Sequence, residues 1–276
     1  MIKLIAFDMD DTLLNSNREF NKEDKDELIK LIQKGVYVNF VTGRPYTKTI
    51  DDYYHELGIY NGYYVAFNGE AIYDINSHKC IYSDNLEKSD LEYIEENTRF
   101  VSQYKNVARY IYKDVNDEGY YSFVYTTLIN KYVHIEDLNN HIKIKVVNDF
   151  NSFDCAHKFM IASDPETIQE IYKLIPKEMF SKYSICISMP CFIEFFKKGN
   201  NKYLGLKKVM DILNIKENEV MAFGDSMNDY ELVTKAHIGV AMGNSISKLK
   251  SDADYVTLDN NNLGIKLALK HFEKEF

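Results

Sequence analysis

Basic residues are in short supply in this 276-residue chain: 33 Lys and Arg stand against 42 Asp and Glu, a formal net charge of −9. The chain lacks the positive footprint through which proteins hold nucleic acid, and it repels anionic membrane surfaces. An enzyme of phosphate is disfavoured on the same count. Cysteine is scarce too. Cys80, Cys155, Cys186 and Cys191 are the four, and none makes a Cys-x-x-Cys pair, so zinc-site spacing is absent. The plain expectation is four buried thiols in a reducing compartment. No apolar run approaches the 18 residues or so of a membrane span, and the first one stops at Asp8, too short for a signal peptide. The chain therefore reads as cytoplasmic. Tryptophan is missing while tyrosine numbers 22; with the many Asn, Lys and Ile this reflects coding bias and says nothing of function. Internal repeats and low-complexity segments are absent as well.

What is present is ordinary globular composition, 45% hydrophobic and 27% charged, in a length that suits one large domain or two ordinary ones. Residues 2–7 form a short apolar run bounded by acids, which predicts a fully buried parallel strand. Asn21 precedes a helical stretch with Leu28, Leu31 and Ile32 three and four apart, and Gly35 stops it. A second buried strand at 36–41 ends in Thr42-Gly43-Arg44-Pro45, where Pro45 can open a helix that Gly58 closes. A third strand at 64–67 is followed by Asn68-Gly69. Such alternation predicts right-handed crossovers and a parallel sheet covered on both faces.

Near residue 84 the pattern turns α+β. A helix is expected at 86–104. A β-hairpin is expected from 107–112 and 120–125 around Asp114-Val115-Asn116-Asp117-Glu118-Gly119, then a strand at 158–162, a helix at 165–174 and a strand at 183–187. From about Pro190 the first style resumes: strand 192–196, helix 203–213, strand 219–223, a helix after Asp229 and a strand at 238–240. The simplest organisation is discontinuous. Residues 1–83 and 190–276 form an α/β, Rossmann-like core, and 84–189 form an inserted α+β module, both of ordinary domain size.

Asp8, Asp10 and Asp11 stand at the end of the first strand, where ligands gather in a parallel α/β sheet. Alone they could be a solvated acidic turn. A second acidic cluster, Gly224-Asp225-Ser226-Met227-Asn228-Asp229, follows another predicted strand. Two acidic edges on one sheet meet only with positive charge between them. A hard divalent cation with oxygen ligands fits, and Mg²⁺ is usual where phosphate is the co-ligand. Thr42 and Gly43 could offer a hydroxyl and free N–H groups to an oxyanion, or merely cap the helix opening at Pro45. Lys202 carries little signal of its own among Lys197, Lys198 and Lys207.

Taken together, Phe-Asp8-Met-Asp10-Asp11-Thr12-Leu-Leu resembles the first motif of the haloacid dehalogenase superfamily. Thr42-Gly43-Arg44-Pro45 resembles the second, Lys202 the third and Gly224–Asp229 the fourth. Val240-Ala241-Met242-Gly243-Asn244, Ala253-Asp254-Tyr255-Val256-Thr257 and Asn68-Gly69 are similar to the Cof-type sugar-phosphate phosphatases. Asp11 departs from the glycine often found there, at a position whose role in the superfamily is mainly backbone.

The resemblance implies a Mg²⁺-dependent phosphatase. Asp8 would be the nucleophile that becomes an aspartyl-phosphate, and Asp10 the general acid and then base. Asp8, the Asp10 carbonyl and Asp225 would hold the metal, with Asp229 supporting that shell. Thr42, Gly43, Lys202 and Asn228 would hold the phosphoryl group or shape its site. The inserted module would be a cap. Its Tyr110, Tyr112, Tyr120, Tyr121, Phe123 and Tyr125 would either stack on substrate or simply pack a hairpin. Small phosphorylated metabolites are the implied substrates: sugar phosphates, pyridoxal phosphate or flavin mononucleotide. A phosphotransferase or mutase of the same superfamily is a close alternative, and a non-catalytic phosphate sensor a distant one, since Asp8, Asp10, Asp225 and Asp229 all remain.

Overall fold

A computed structural model describes residues 1–115, 121–126, 128–132, 143–147 and 150–276. The chain divides into two compact units: residues 1–44, 50–82 and 200–276 form the first, and 45–49 with 83–199 the second.

The first unit opens with β1 (Leu4–Phe7), β2 (Tyr37–Val41), β3 (Tyr63–Ala66), β4 (Ala71–Asp74) and β5 (Lys79–Ser83). In the second lie β6 (Leu86–Glu87), β7 (Ala108–Val115), β8 (Tyr121–Thr126), β9 (Lys143–Val147), β10 (Cys155–Ala156), β11 (Lys158–Ala162), β12 (Tyr183–Met189) and β13 (Phe192–Lys197). The chain then returns to the first unit with β14 (Val220–Gly224), β15 (Ile238–Ala241) and β16 (Tyr255–Val256). The large sheet has the order β16-β15-β14-β1-β2-β3-β4-β5, parallel from β16 to β3 and antiparallel at β3–β4.

The central strands β1, β14 and β15 are buried throughout, which is why they read as apolar runs, while the edge strand β5 is largely exposed. Leu4, Ala6, Val41, Val220 and Ala222 pack with Leu206, Val209 and Met210 of the helix Lys202–Leu213. On the opposite face Phe7 stacks on Phe223 at 4.7 Å, and Phe40 on Tyr54 of the helix Lys48–Glu56 at 4.0 Å. Each fully buried Leu or Phe contributes roughly 1.5–3 kcal/mol, so the strands are fixed by both layers. The Tyr54 hydroxyl accepts the Phe40 N–H and donates to the Tyr63 carbonyl, bridging β2 and β3.

In the second unit the sheet order is β12-β13-β11-β7-β8-β9, with β8–β9 parallel and the other pairs antiparallel, beside a small β10–β6 pair. Its core gathers Ile111, Phe159, Ile161, Ile193 and Phe195 of this sheet with Leu91 and Ile94 of the helix Lys88–Asn97 and Ile168 and Ile171 of the helix Pro165–Leu174.

Some expectations change: the helix expected at 86–104 is shorter, Lys88–Asn97. The strand after Pro190 pairs with β12 and β11, so it belongs to the second sheet and not to the returning core. Its length and apolarity suit either sheet, and only pairing decides. The helix expected from Pro45 begins at Lys48. The β4–β5 pair was not foreseen. Of the cysteines only Cys191 is buried; Cys155 is half-buried and Cys80 and Cys186 are exposed. The hairpin β7–β8 forms as expected, though residues 116–120 of its turn lie outside the described residues. Tyr110 and Tyr112 are buried in the sheet, which favours packing over stacking on substrate. Tyr120 and the side chains of Tyr121, Phe123 and Tyr125 lie outside what is described.

Candidate active site

β1, β2 and β14 are neighbours, and their carboxyl ends deliver Asp8, Thr42 and Asp225 to one edge of the sheet. Asp8 and Asp10 keep extended backbone angles, while Asp11 takes φ +58°, ψ +9°. Asp11 is thus in the left-handed region, which glycine occupies without strain and aspartate only at some cost.

Lys202 is the first residue of its helix, whose preceding Asn201 accepts the Leu204 N–H as an N-cap. That start aims the Lys202 side chain inward, 1% exposed, with Nζ 2.5 Å from Asp8 Oδ1 and 2.6 Å from Asp229 Oδ1. The other lysines are engaged elsewhere: Lys197 with Asp84, Lys198 with the Phe180 and Ser181 carbonyls, and Lys207 with Glu217. Asp229 is fully buried, and its Oδ2 accepts the N–H groups of Asp225 and Ser226, each at 3.0 Å. Gly224 makes this possible, because a Cβ there would lie 2.4 Å from Asp229 Cβ. The Thr12 hydroxyl donates to Asp225 Oδ1 at 3.0 Å.

Carboxylate oxygens of Asp8, Asp225 and Asp229 lie within 4.8 Å of one another. Among the described residues the ammonium of Lys202 bridges two of these three acids, one formal positive charge against three formal negative ones. The strain appears as proton affinity. Burial, opposed by Lys202 and reinforced by Asp229 and Asp225, holds the Asp8 carboxyl well above its ordinary range. Burial and Asp229 push Asp225 up to about 6. A divalent cation would reverse both pressures, and an all-oxygen donor set suits a hard ion. The residues fit such a cofactor.

The metal contact expected of Asp10 is its backbone carbonyl, and its carboxylate is not part of this group. The Arg44 guanidinium grips it by both oxygens, with Nε 2.8 Å from Oδ2 and Nη2 on Oδ1. Thr42 is buried and accepts the Arg44 N–H through its hydroxyl, and its carbonyl accepts the Asn68 N–H. A Cβ at Gly43 would meet Asn68 Nδ2 at 3.2 Å, so the two loops close on each other there. Asn228 Nδ2 donates to Asn68 Oδ1 at 3.0 Å and Ser226 Oγ to Asn228 Oδ1 at 2.5 Å. Sequence reading gave no role to Arg44, Asn68 or Thr12. For Arg44 the signal was there, as the one cation in its motif.

The sheet order and this acidic edge define a class. A family model of the haloacid dehalogenase-like hydrolases matches residues 5–269, and the chain belongs to that family. Within it the chain is a phosphatase. The 5-amino-6-(5-phospho-D-ribitylamino)uracil phosphatase YcsE of Bacillus subtilis (strain 168) is 30% identical over 276 residues, covering 98% of this chain and 96% of that protein. Among solved structures, a haloacid dehalogenase-like hydrolase from Bacteroides thetaiotaomicron is 27% identical with a TM-score of 0.83, covering 98% of this chain and 99% of that one. The subclass IIB sugar phosphatase BT4131 is 25% identical with a TM-score of 0.75, at 98% and 99% coverage. No helix among the described residues is long and apolar enough to cross a membrane.

Proposed function

We propose that the chain hydrolyses small phosphomonoesters through an aspartyl-phosphate on Asp8. The observation that carries this reading is the buried Lys202 bridge between Asp8 and Asp229 beside Asp225, at the carboxyl edge of a parallel sheet. In the first step an Asp8 oxygen attacks phosphorus, the bond to the leaving oxygen breaks, and the Asp10 carboxyl gives that oxygen a proton. In the second, the Asp10 carboxylate takes a proton from water as the water attacks phosphorus. Inorganic phosphate leaves and the Asp8 carboxylate is restored. Lys202, Thr42 and the Gly43 amide would bind phosphoryl oxygens where charge is spread, with Asn228 shaping the same edge. Mg²⁺ would be held by the carboxylates of Asp8 and Asp225 and the Asp10 carbonyl, with Asp229 in support, and would neutralise phosphate charge there.

The substrate class is a small phosphorylated metabolite. Sugar phosphates are favoured by the likeness to BT4131, and a phosphorylated ribityl compound by the likeness to YcsE. The acidic surplus argues against nucleic acid and anionic membranes as partners, and the site of action would be the cytoplasm. The second unit would serve as a cap supplying contacts to the leaving group.

The test is a screen of phosphorylated metabolites for phosphate release with Mg²⁺, run beside Asp8→Asn. Wild type should turn over and the variant should fall below about 1% of it, a loss expected when a covalent nucleophile is removed. Wild-type turnover in Asp8→Asn would remove the nucleophile assignment.

A further inference from the structure

The loop that follows Asp8 is tied down by asparagines from the far end of the chain. Asn244 Nδ2 donates to the Asp11 carbonyl at 2.7 Å, and Asn244 Oδ1 accepts the Asn260 N–H at 3.2 Å. Buried Asn260 donates through Nδ2 to the Leu14 carbonyl at 2.9 Å, and its own carbonyl accepts Asn21 Nδ2 at 2.7 Å. Asn261 Oδ1 accepts the Ser16 N–H and Nδ2 donates to the Ser16 hydroxyl, each at 3.0 Å. Three carbonyl or N–H groups of residues 11–16 are thus held by side chains more than 230 positions away in sequence.

One of these contacts falls on the strained residue. Asp11 sits at φ +58°, a conformation that glycine takes freely and aspartate only at some cost. Asp10 immediately precedes it, so the turn at Asp11 bears on how the Asp10 peptide leaves the end of β1, while Arg44 holds the carboxylate at its far end.

We propose that Asn244 is a positioning residue for the reaction: its amide holds the left-handed Asp11 peptide and so aims Asp10 at the leaving oxygen. The proposal rests on the reading of Asp10 as the proton donor. Asn244 bonds the Asp11 carbonyl and the Asn260 N–H. It acts through the Asp11 carbonyl.

The test separates aim from mere stability. Asn244→Ala should lower kcat about tenfold, in the range that a displaced reacting group costs, with KM changed less than about twofold. Adding Asp11→Gly should recover most of the loss, because glycine takes the left-handed conformation without the amide. Hydrogen exchange at residues 9–14 should quicken in Asn244→Ala and slow again in the double variant. Wild-type kcat in Asn244→Ala, with only a lower Tm, would overturn the proposal, as would a loss that Asp11→Gly leaves untouched. If wild type releases no phosphate at all, the phosphatase reading falls, and the exchange measurement still decides whether Asn244 holds the turn.

Discussion

The ammonium of Lys202 lies 2.5 Å from Asp8 Oδ1, although 194 positions separate the two residues. Both are buried, and the same ammonium reaches Asp229. Lys202→Met should therefore destabilise the metal-free protein by roughly 3–5 kcal/mol, the usual cost of breaking a buried ion pair from one side. Urea unfolding in chelator measures it. Added Mg²⁺ should recover part of the loss, while turnover stays low for want of a phosphoryl contact. Unchanged unfolding would show that the bridge contributes nothing to the fold.

Gly224 and Asp229 share space that has no room for a methyl group, since a Cβ would lie 2.4 Å from Asp229 Cβ. Gly224→Ala should cost about 1–3 kcal/mol through overpacking. Its larger effect should be on activity, because Asp229 is pushed off both Lys202 and the Asp225 and Ser226 amides. Comparing Tm with kcat/KM in the one variant checks this; equal activity would mean that Asp229 can move without consequence.

Three carboxylates against one ammonium leave a deficit that a divalent ion fills. Mg²⁺ should raise the Tm of wild type, as any ligand of the native state does. The shift should be much smaller in Asp225→Asn. EDTA should abolish phosphate release and excess Mg²⁺ should restore it. Full activity in chelator would remove the metal from the reaction.

His157 gives a pH signature away from this edge. Burial, aided by Lys113 and Lys158, pushes its imidazole down to about 3, from the ordinary 6.5. The unfolded chain then binds a proton between those values that the folded chain refuses. Its contribution to stability is complete above about pH 6.5 and is lost as pH falls toward 3. Urea midpoints at pH 7 and pH 5 should differ more in wild type than in His157→Gln. Equal slopes would mean that His157 takes up its proton without penalty.

The sequence by itself determined the parallel strands β1, β2, β3, β14 and β15 of the large sheet and its acidic edge. The runs that became β1, β2 and β14 are short and, Asn39 apart, apolar because they are largely buried, and Asp8, Thr42 and Asp225 follow directly from where each run stops. It also marked residue 11 as a backbone position. Only the tertiary structure decided the rest. Lys202 is one of several lysines until helix entry buries it between two aspartates. Arg44 turns to the Asp10 carboxylate because the ends of β1 and β2 are adjacent. The strand Phe192–Lys197 joins the second sheet by pairing with both β12 and β11. In each case the deciding contact joins residues distant in the chain, and local pattern carries no record of which partner folding brings near.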